Sequence, residues 1–148
     1  MSNDKNLKLE NQLCFSIYAT ERTITKVYRP LLNELGITYP QYLVMLVLWE
    51  NEAITLKDLG NKLYLDSGTL TPLLKRLEGM NLLKRERSTE DERLLCVTIT
   101  NKGKELKNKA LKIPQCILKS LDMDINDLIK LKGDIDFLLN NLIRKEKL

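Results

Sequence analysis

Apolar residues recur through most of the chain at the three- and four-residue spacings of helices, and the exceptions locate the remaining elements. Across residues 9–35, Leu13, Ile17, Ile24, Val27, Leu31 and Leu35 form one stripe on a helix. Pro30 falls inside this run, and an interior proline costs ~3 kcal/mol unless the helix kinks or ends. A kink is therefore expected near Tyr28 and Arg29, with Gly36 closing the helix. Thr38-Tyr39-Pro40-Gln41 has the composition of a cap and first turn. The helix that follows, 41–50, is apolar nearly all round and belongs at the centre of the core. Ile54-Thr55-Leu56 is a short β-prone link into a compact helix over 56–63. Tyr64 and Leu65 then make a turn, and Asp66-Ser67-Gly68-Thr69 offers an N-cap for a third helix running to about Met80.

After Gly79-Met80-Asn81 the period changes. Residues 82–87 and 94–99 are strand-like, the second with Leu95, Val97 and Ile99 alternating, and a charged tip over 88–93 joins them into a hairpin. Thr100 and Asn101 are placed to cap a long helix expected from Lys102 into the 110s, with a break near Pro114 and Gln115, just before Cys116. A last amphipathic helix covers 126 to about 145. Two short helices joined by a turn form a helix-turn-helix. With a hairpin directly behind it, the expected fold is mainly α with a small β-hairpin wing, a winged helix-turn-helix. One domain is expected over 1–148, with 38–100 carrying the winged helix-turn-helix. The helices of 1–37 and 101–148 hold more apolar surface than such a module needs, so they are assigned to dimerisation.

Charge changes this picture less than expected of a nucleic-acid binder. The net charge is +4, but residues 54–100 carry 8 basic and 7 acidic groups, against 11 and 7 in 101–148. Any case for DNA must come from local arrangement. The chain has no histidine, and its three cysteines, Cys14, Cys96 and Cys116, include no CxxC pair. Imidazole catalysis, Cys–His dyads and the usual zinc sites are thereby set aside, and no metal or cofactor is expected. The polar N-terminus and the absence of an apolar run of about eighteen residues point to the cytoplasm, with no membrane partner.

The first turn of the third helix, Asp66-Ser67-Gly68-Thr69-Leu70-Thr71-Pro72, is rich in short hydroxyl side chains, with Lys75 and Arg76 beyond. Ser67, Thr69 and Thr71 suit phosphate and base-edge contacts in a major groove, although the same residues are ordinary capping chemistry. The hairpin offers Arg85, Arg87 and Arg93. An arginine on a narrow β-tip can enter a minor groove, and Asp91 is placed to hold Arg93 in a bidentate pair. Glu90 and Glu92 weigh mildly against DNA. Cys14 lies on or beside the apolar stripe, where a thiol is ordinarily an inert small hydrophobe; a peroxide sensor would instead need a stabilised thiolate in an accessible spot. Cys96, on the face opposite Leu95 and Val97, is taken as a half-exposed structural residue.

The stretch Leu65-Asp66-Ser67-Gly68-Thr69-Leu70-Thr71-Pro72-Leu73-Leu74-Lys75-Arg76-Leu77, the run Asp91-Glu92-Arg93 and the closing Ile99-Thr100 resemble the MarR family of bacterial regulators. Gln12-Leu13-Cys14-Phe15, Thr38-Tyr39-Pro40-Gln41-Tyr42-Leu43 and Leu48-Trp49-Glu50 are similar to its organic-hydroperoxide resistance branch, the OhrR type. The resemblance runs from about Leu9 to Thr100, and more loosely to the end. It implies a homodimer on a palindromic operator in double-stranded DNA, with Ser67, Thr69, Arg76 and Arg93 at the interface. It also implies that Cys14 is a peroxide-sensing cysteine and that Tyr28 and Tyr39 hydrogen-bond it when reduced. Cys116 falls where some members carry a second cysteine that forms a disulfide with the sensor of the other subunit, though the surrounding text departs from those members.

The expected function is a redox-sensing regulator, a repressor rather than an enzyme, released when organic hydroperoxide oxidises Cys14, through an intersubunit Cys14–Cys116 disulfide. The alternatives are a relative controlled by a small aromatic ligand, a thiol-dependent peroxidase using Cys14 and Cys116, and a winged helix that binds protein instead of DNA.

Overall fold

The chain builds outward from one apolar helix, whose start is fixed as its sequence suggests. The Thr38 hydroxyl accepts from the Gln41 N–H at 3.4 Å, while Gln41 Oε1 accepts from the Thr38 N–H at 2.9 Å. This closed capping box satisfies two orphan donors and sets α2 over Tyr39–Asn51. Tyr42, Val44, Met45, Val47 and Leu48 are buried along it. Trp49, near its C-terminal end, donates from Nε1 to the Gly103 carbonyl at 2.9 Å. The computed structural model describes residues 3–146. They fall into two compact units, one up to Ile113 and one from Pro114 onward, so the boundary cuts through the expected dimerisation region of 101–148.

In the first unit, α1 spans Leu13–Asn33, shorter at both ends than the apolar stripe implies. A separate 3-10 turn occupies Leu9–Asn11, and the Gln12 side chain binds the carbonyls of Asn6 and Lys8 at 2.6 and 2.9 Å. α1 runs through Pro30 without interruption, and Gly36 beyond it takes a positive φ of 73°. After α2 come β1 (Ala53–Thr55), α3 (Leu56–Leu63) and α4 (Ser67–Gly79). Tyr64 turns the chain between the two helices in the left-handed region, φ 56°. Asp66 caps α4 by accepting from the Thr69 N–H at 2.7 Å. Leu59 of α3 and Leu70, Leu74 and Leu77 of α4 are fully buried.

The wing consists of β2 (Leu83–Arg87) and β3 (Leu95–Ile99), antiparallel, with Leu83 opposite Ile99 and Arg87 opposite Leu95. Two strands were expected, but the sheet has three in the order β1-β3-β2, because β1 pairs along the other edge of β3 with Ile54 opposite Val97. Three residues are too few for alternation to identify a strand in the sequence. Cys96 lies half-buried on the face opposite Leu95 and Val97, as expected.

The long helix expected after the wing is broken near Pro114, as expected, and its first part ends at Ala110. Thr100 caps α5 (Asn101–Ala110) by accepting from the Gly103 N–H at 3.0 Å, but the helix stops there, and α6 (Ile113–Leu121) begins anew. Pro114 accounts for the break. In a continuous helix its missing N–H would leave the Ala110 carbonyl unpaired, whereas in the first turn of a new helix no such bond is needed. The second unit is completed by α7 (Ile125–Glu146), which has no buried residue and exposes Ile129, Leu131, Ile135, Phe137 and Leu142. No described helix is long and apolar enough to cross a membrane.

Gly103 sits where α5 meets the turn into β2. A Cβ there would run into the Leu82 carbonyl oxygen and come within 2.7 Å of Ile99 Cγ1. Gly103→Ala is expected to destabilise the fold by about 1–3 kcal/mol, the usual result of overpacking. Thermal or urea unfolding measures this, and an unchanged midpoint would show that the turn yields freely.

Candidate nucleic-acid interface and redox site

The buried stripe of α4 determines what its other face presents. With Leu70, Leu74 and Leu77 inward, Gly68, Pro72 and Lys75 face away, and Thr69 and Arg76 lie together on one flank. Ser67, Thr69, Lys75 and Arg76 are exposed. Thr71 differs: its hydroxyl turns back to the Ser67 carbonyl at 2.7 Å and so is partly used within the helix. The Asp66 carboxylate accepts from the Thr69 N–H at the same end and offsets the positive potential of the helix start.

The wing tip is held by short bonds of its own. Ser88 donates its N–H to the Leu94 carbonyl at 2.8 Å, and its Oγ accepts from the N–H groups of Glu90 and Asp91. Asp91 and Arg93 do pair, but not as a bidentate fork. One oxygen, Asp91 Oδ1, accepts both the Arg93 backbone N–H at 3.0 Å and Nε at 3.3 Å. At a separation of two residues the same oxygen reaches both donors, as in an Asx turn. The Arg93 side chain is 92% exposed at the tip, and Arg87 is exposed as well. Arg85 is not presented in this way. Its side chain is 20% exposed and forms an ion pair with Glu78 at 3.0 Å.

The thiols and tyrosines separate into two places. Cys14, the second residue of α1, is exposed between Leu13 and Phe15, which are also exposed, and not buried on an apolar face. Among the described residues it has no hydrogen-bond partner. Tyr28 lies fourteen residues further along the same helix, about 21 Å at 1.5 Å per residue. Within one chain, therefore, Tyr28 cannot reach the Cys14 sulfur. Tyr28 and Tyr39 are brought together, with ring centroids 4.8 Å apart, and Tyr42, which sequence reasoning missed, stands 5.9 Å from Tyr28 and 6.3 Å from Tyr39. Tyr42 is hidden in the sequence among the continuous apolar residues of α2. Glu78, also missed, looks there like ordinary helix surface. Cys116 is half-buried in α6, in the second unit.

Burial pushes the Tyr28 hydroxyl up to about 12, with Tyr39 and Tyr42 adding to the effect. Tyr39 and Tyr42 are raised for the same reason, Tyr39 also by the charge of Glu21. These hydroxyls stay protonated, and so remain donors, throughout the physiological range.

A helix-turn-helix whose second helix exposes hydroxyl and basic side chains, followed by a wing with an arginine at its tip, defines a winged helix-turn-helix regulator. The chain belongs to the transcription regulators of the MarR type, in the organic-hydroperoxide resistance branch. The family of the transcriptional regulators SarA and Rot matches residues 26–110. The organic hydroperoxide resistance transcriptional regulator of Bacillus subtilis is 52% identical over 140 residues, 95% of each chain. The structure of reduced AbfR bound to DNA aligns with a TM-score of 0.78 at 37% identity, covering 96% of this chain and 99% of that one. The disulfide form of AbfR, a protein of Staphylococcus epidermidis, aligns at 0.62 and 37% identity, covering 98% and 97%.

The raised Tyr28 value carries a pH dependence. Its folded value of about 12 exceeds the unfolded value of about 10, so the stability it contributes is intact below pH 10 and is lost as pH rises through 12. Phenolate absorbance should reveal a tyrosine that ionises near pH 12, and Tyr28→Phe should remove it and flatten the alkaline fall of the melting temperature. A titration in which all the tyrosines ionise near 10 would contradict the burial assigned to Tyr28.

Proposed function

We propose that this chain is a DNA-binding repressor in the cytoplasm, controlled by oxidation of Cys14, and that two copies act together on a palindromic operator. The observation that carries the reading is the exposed N-terminal face of α4 beside the arginine-tipped wing, in a chain 52% identical to an organic hydroperoxide resistance regulator. Ser67, Thr69, Lys75 and Arg76 would occupy the major groove, while Arg87 and Arg93 follow the wing to the flanking backbone and minor groove. Dimerisation is supported by the apolar side chains left exposed on α1 (Leu13, Phe15, Ile17) and on α7 (Ile129, Ile135, Phe137), more than a monomeric regulator would leave in water.

The same geometry gives the dimer a role in sensing. Because Tyr28, with Tyr39 packed on it, lies about 21 Å along α1 from Cys14 of its own chain, these two hydroxyls could reach that sulfur only from the second copy. In the proposed switch, the Cys14 thiolate attacks the peroxide O–O bond of an organic hydroperoxide. The terminal oxygen becomes part of a sulfenic acid, and the alkoxide leaves and takes up a proton as an alcohol. Cys116 of the second copy then attacks that sulfur, forming the disulfide and releasing water. Cellular thiols reverse the step.

A second reading is favoured by one cleft in the first unit, about 310 Å³, where Arg29 and Asn33 stand beside Leu32, Ile37 and Tyr39. Its size and mixed lining suit a small aromatic acid as effector.

Binding of the protein to its own upstream DNA, reduced and oxidised, tests these assignments. Wild type should bind when reduced and dissociate on hydroperoxide treatment, while Cys14→Ser should stay bound; a Cys14→Ser protein that still dissociates would remove Cys14 as sensor. Oxidised wild type should migrate as a covalent dimer on non-reducing gels, and Cys116→Ser should not. Release by aromatic acids without oxidant would favour the second reading. Separately, Arg93→Ala should weaken reduced binding about 5- to 100-fold and lower the salt slope by about 1. Unchanged affinity would take the wing out of the interface.

A further inference from the structure

β2 is an edge strand of the sheet, paired with β3 on one side only. Edge strands usually leave their outward N–H groups to water. The Arg85 N–H instead donates to Glu78 Oε2 at 2.8 Å. The other oxygen, Glu78 Oε1, accepts from Nη2 and Nε of the same arginine at 3.0 and 3.3 Å. One carboxylate thus gathers three donors from one residue. Glu78 is the penultimate residue of α4, and Arg85 is the middle residue of β2. The bonds therefore tie the recognition helix directly to the wing, bypassing the turn between them.

The side chain of Arg85 meets Glu78 because of the strand's own period. Leu83, Arg85 and Arg87 share a face, opposite Ile99, Val97 and Leu95, and Leu83, Val97 and Ile99 are buried there. Arg85 therefore starts toward the interior, and its guanidinium reaches back to the helix. The Arg85 N–H, followed by its guanidinium, holds the Glu78 carboxyl below the usual carboxylate range. The intervening turn is gripped from its other side by α5: Thr100 Oγ1 donates to the Asn81 carbonyl at 2.6 Å, Lys102 Nζ to Met80 at 2.9 Å, and the Thr100 N–H to Leu82 at 3.1 Å.

A reader of duplex DNA with two arms needs a fixed angle between them. If the wing swings relative to α4, Arg93 and the Ser67–Thr69 end of the helix cannot meet their phosphates and bases together, and one set of contacts is lost. We propose that Glu78 and Arg85 are a positioning pair for DNA binding: the carboxylate fixes the wing against the recognition helix, and Arg85 is a strut between them in place of a phosphate contact. This rests on the DNA-binding reading above.

The sign of one substitution separates the two roles. Removing an acid from a DNA-binding face should strengthen binding by charge alone. The positioning role requires the reverse, with Glu78→Ala about tenfold weaker on the upstream DNA in the reduced state, the scale of one lost contact. Glu78→Ala with Arg85→Ala should be no weaker than either alone, and Glu78→Ala should add nothing to Arg93→Ala, whose wing contact is already gone. Amide exchange at Arg85, slow in wild type, should accelerate in Glu78→Ala without any DNA present. If Glu78→Ala does not stay folded at the assay temperature, Glu78→Met, which keeps the side-chain length but has no oxygen to accept the Arg85 N–H, takes its place with the same expectations. The proposal is overturned if Glu78→Ala binds as well as wild type or better, if the two losses add, or if Arg85 exchange is unchanged. Wild type that binds no duplex sinks the DNA reading and this proposal together, whereas wild-type binding with Glu78→Ala unaffected sinks the positioning role alone.

Discussion

Burial of one face of α4 is the constraint on which the rest of the molecule depends. Leu70, Leu74 and Leu77 are fully buried, together with Leu59 of α3 and Val44, Met45 and Leu48 of α2. At about 1.5–3 kcal/mol for each large side chain taken from water, this contact far outweighs any cap or surface ion pair in the module. Its consequence is directional. A helix held rigidly by one stripe must offer the opposite stripe to solvent, and here that stripe carries the hydroxyl and basic groups. The capping box at Thr38 and the Trp49 bond to Gly103 serve the same contact, because α2 is the floor on which α4 rests.

The redox chemistry depends on a different constraint, the stiffness of α1. A helix of 21 residues separates its two ends by about 30 Å. Cys14 sits at one end and the tyrosine cluster toward the other, so neither chain alone contains both halves of the proposed sensing site. The exposed apolar residues around Cys14 complete the logic. A thiol surrounded by Leu13, Phe15 and Ile17 is exposed in one chain but would be sheltered when a second copy covers that surface. In the proposed switch, dimerisation and sensing would then share one set of side chains.

Local signals were legible in the sequence, whereas pairings across space were not. The Thr38 cap, a cap within 66–69, the bounds of α3 and the face of Cys96 follow from spacing alone. β1 did not, because three residues gain strand character only from the β3 edge beside them. The break before α6 was legible as well: Pro114 removes the very N–H that the Ala110 carbonyl would have needed. Arg85 is the instructive case. Counting charges placed it with Arg87 and Arg93 as a potential DNA contact, yet its alternation with Leu83 already puts it on the inner face of the strand. What no spacing could supply was the identity of its partner, seven residues back at the end of a helix. Cys14 and Tyr28 show the same limit in reverse. Family text pairs them, and only the unbroken helix between them shows that one chain cannot bring them together.

The weak net charge of residues 54–100 also acquires a physical explanation. Of the acids in that segment, Asp66 is committed to the α4 cap, Glu78 to the wing strut and Asp91 to the tip turn. Each spends its carboxylate on backbone N–H groups, so each builds structure as well as carrying charge. Among the described residues Lys75, Arg76 and Arg87 take part in no ion pair, which leaves their charge directed outward. A nearly neutral segment can thus present a positive face, because part of its negative charge is used to shape it. Glu86, Glu90 and Glu92 remain exposed on the wing, and they set the limit. The wing can approach a phosphate backbone only in orientations that lead with Arg93 and keep these carboxylates turned away. In such a module the angle of the wing decides whether its charge attracts or repels DNA.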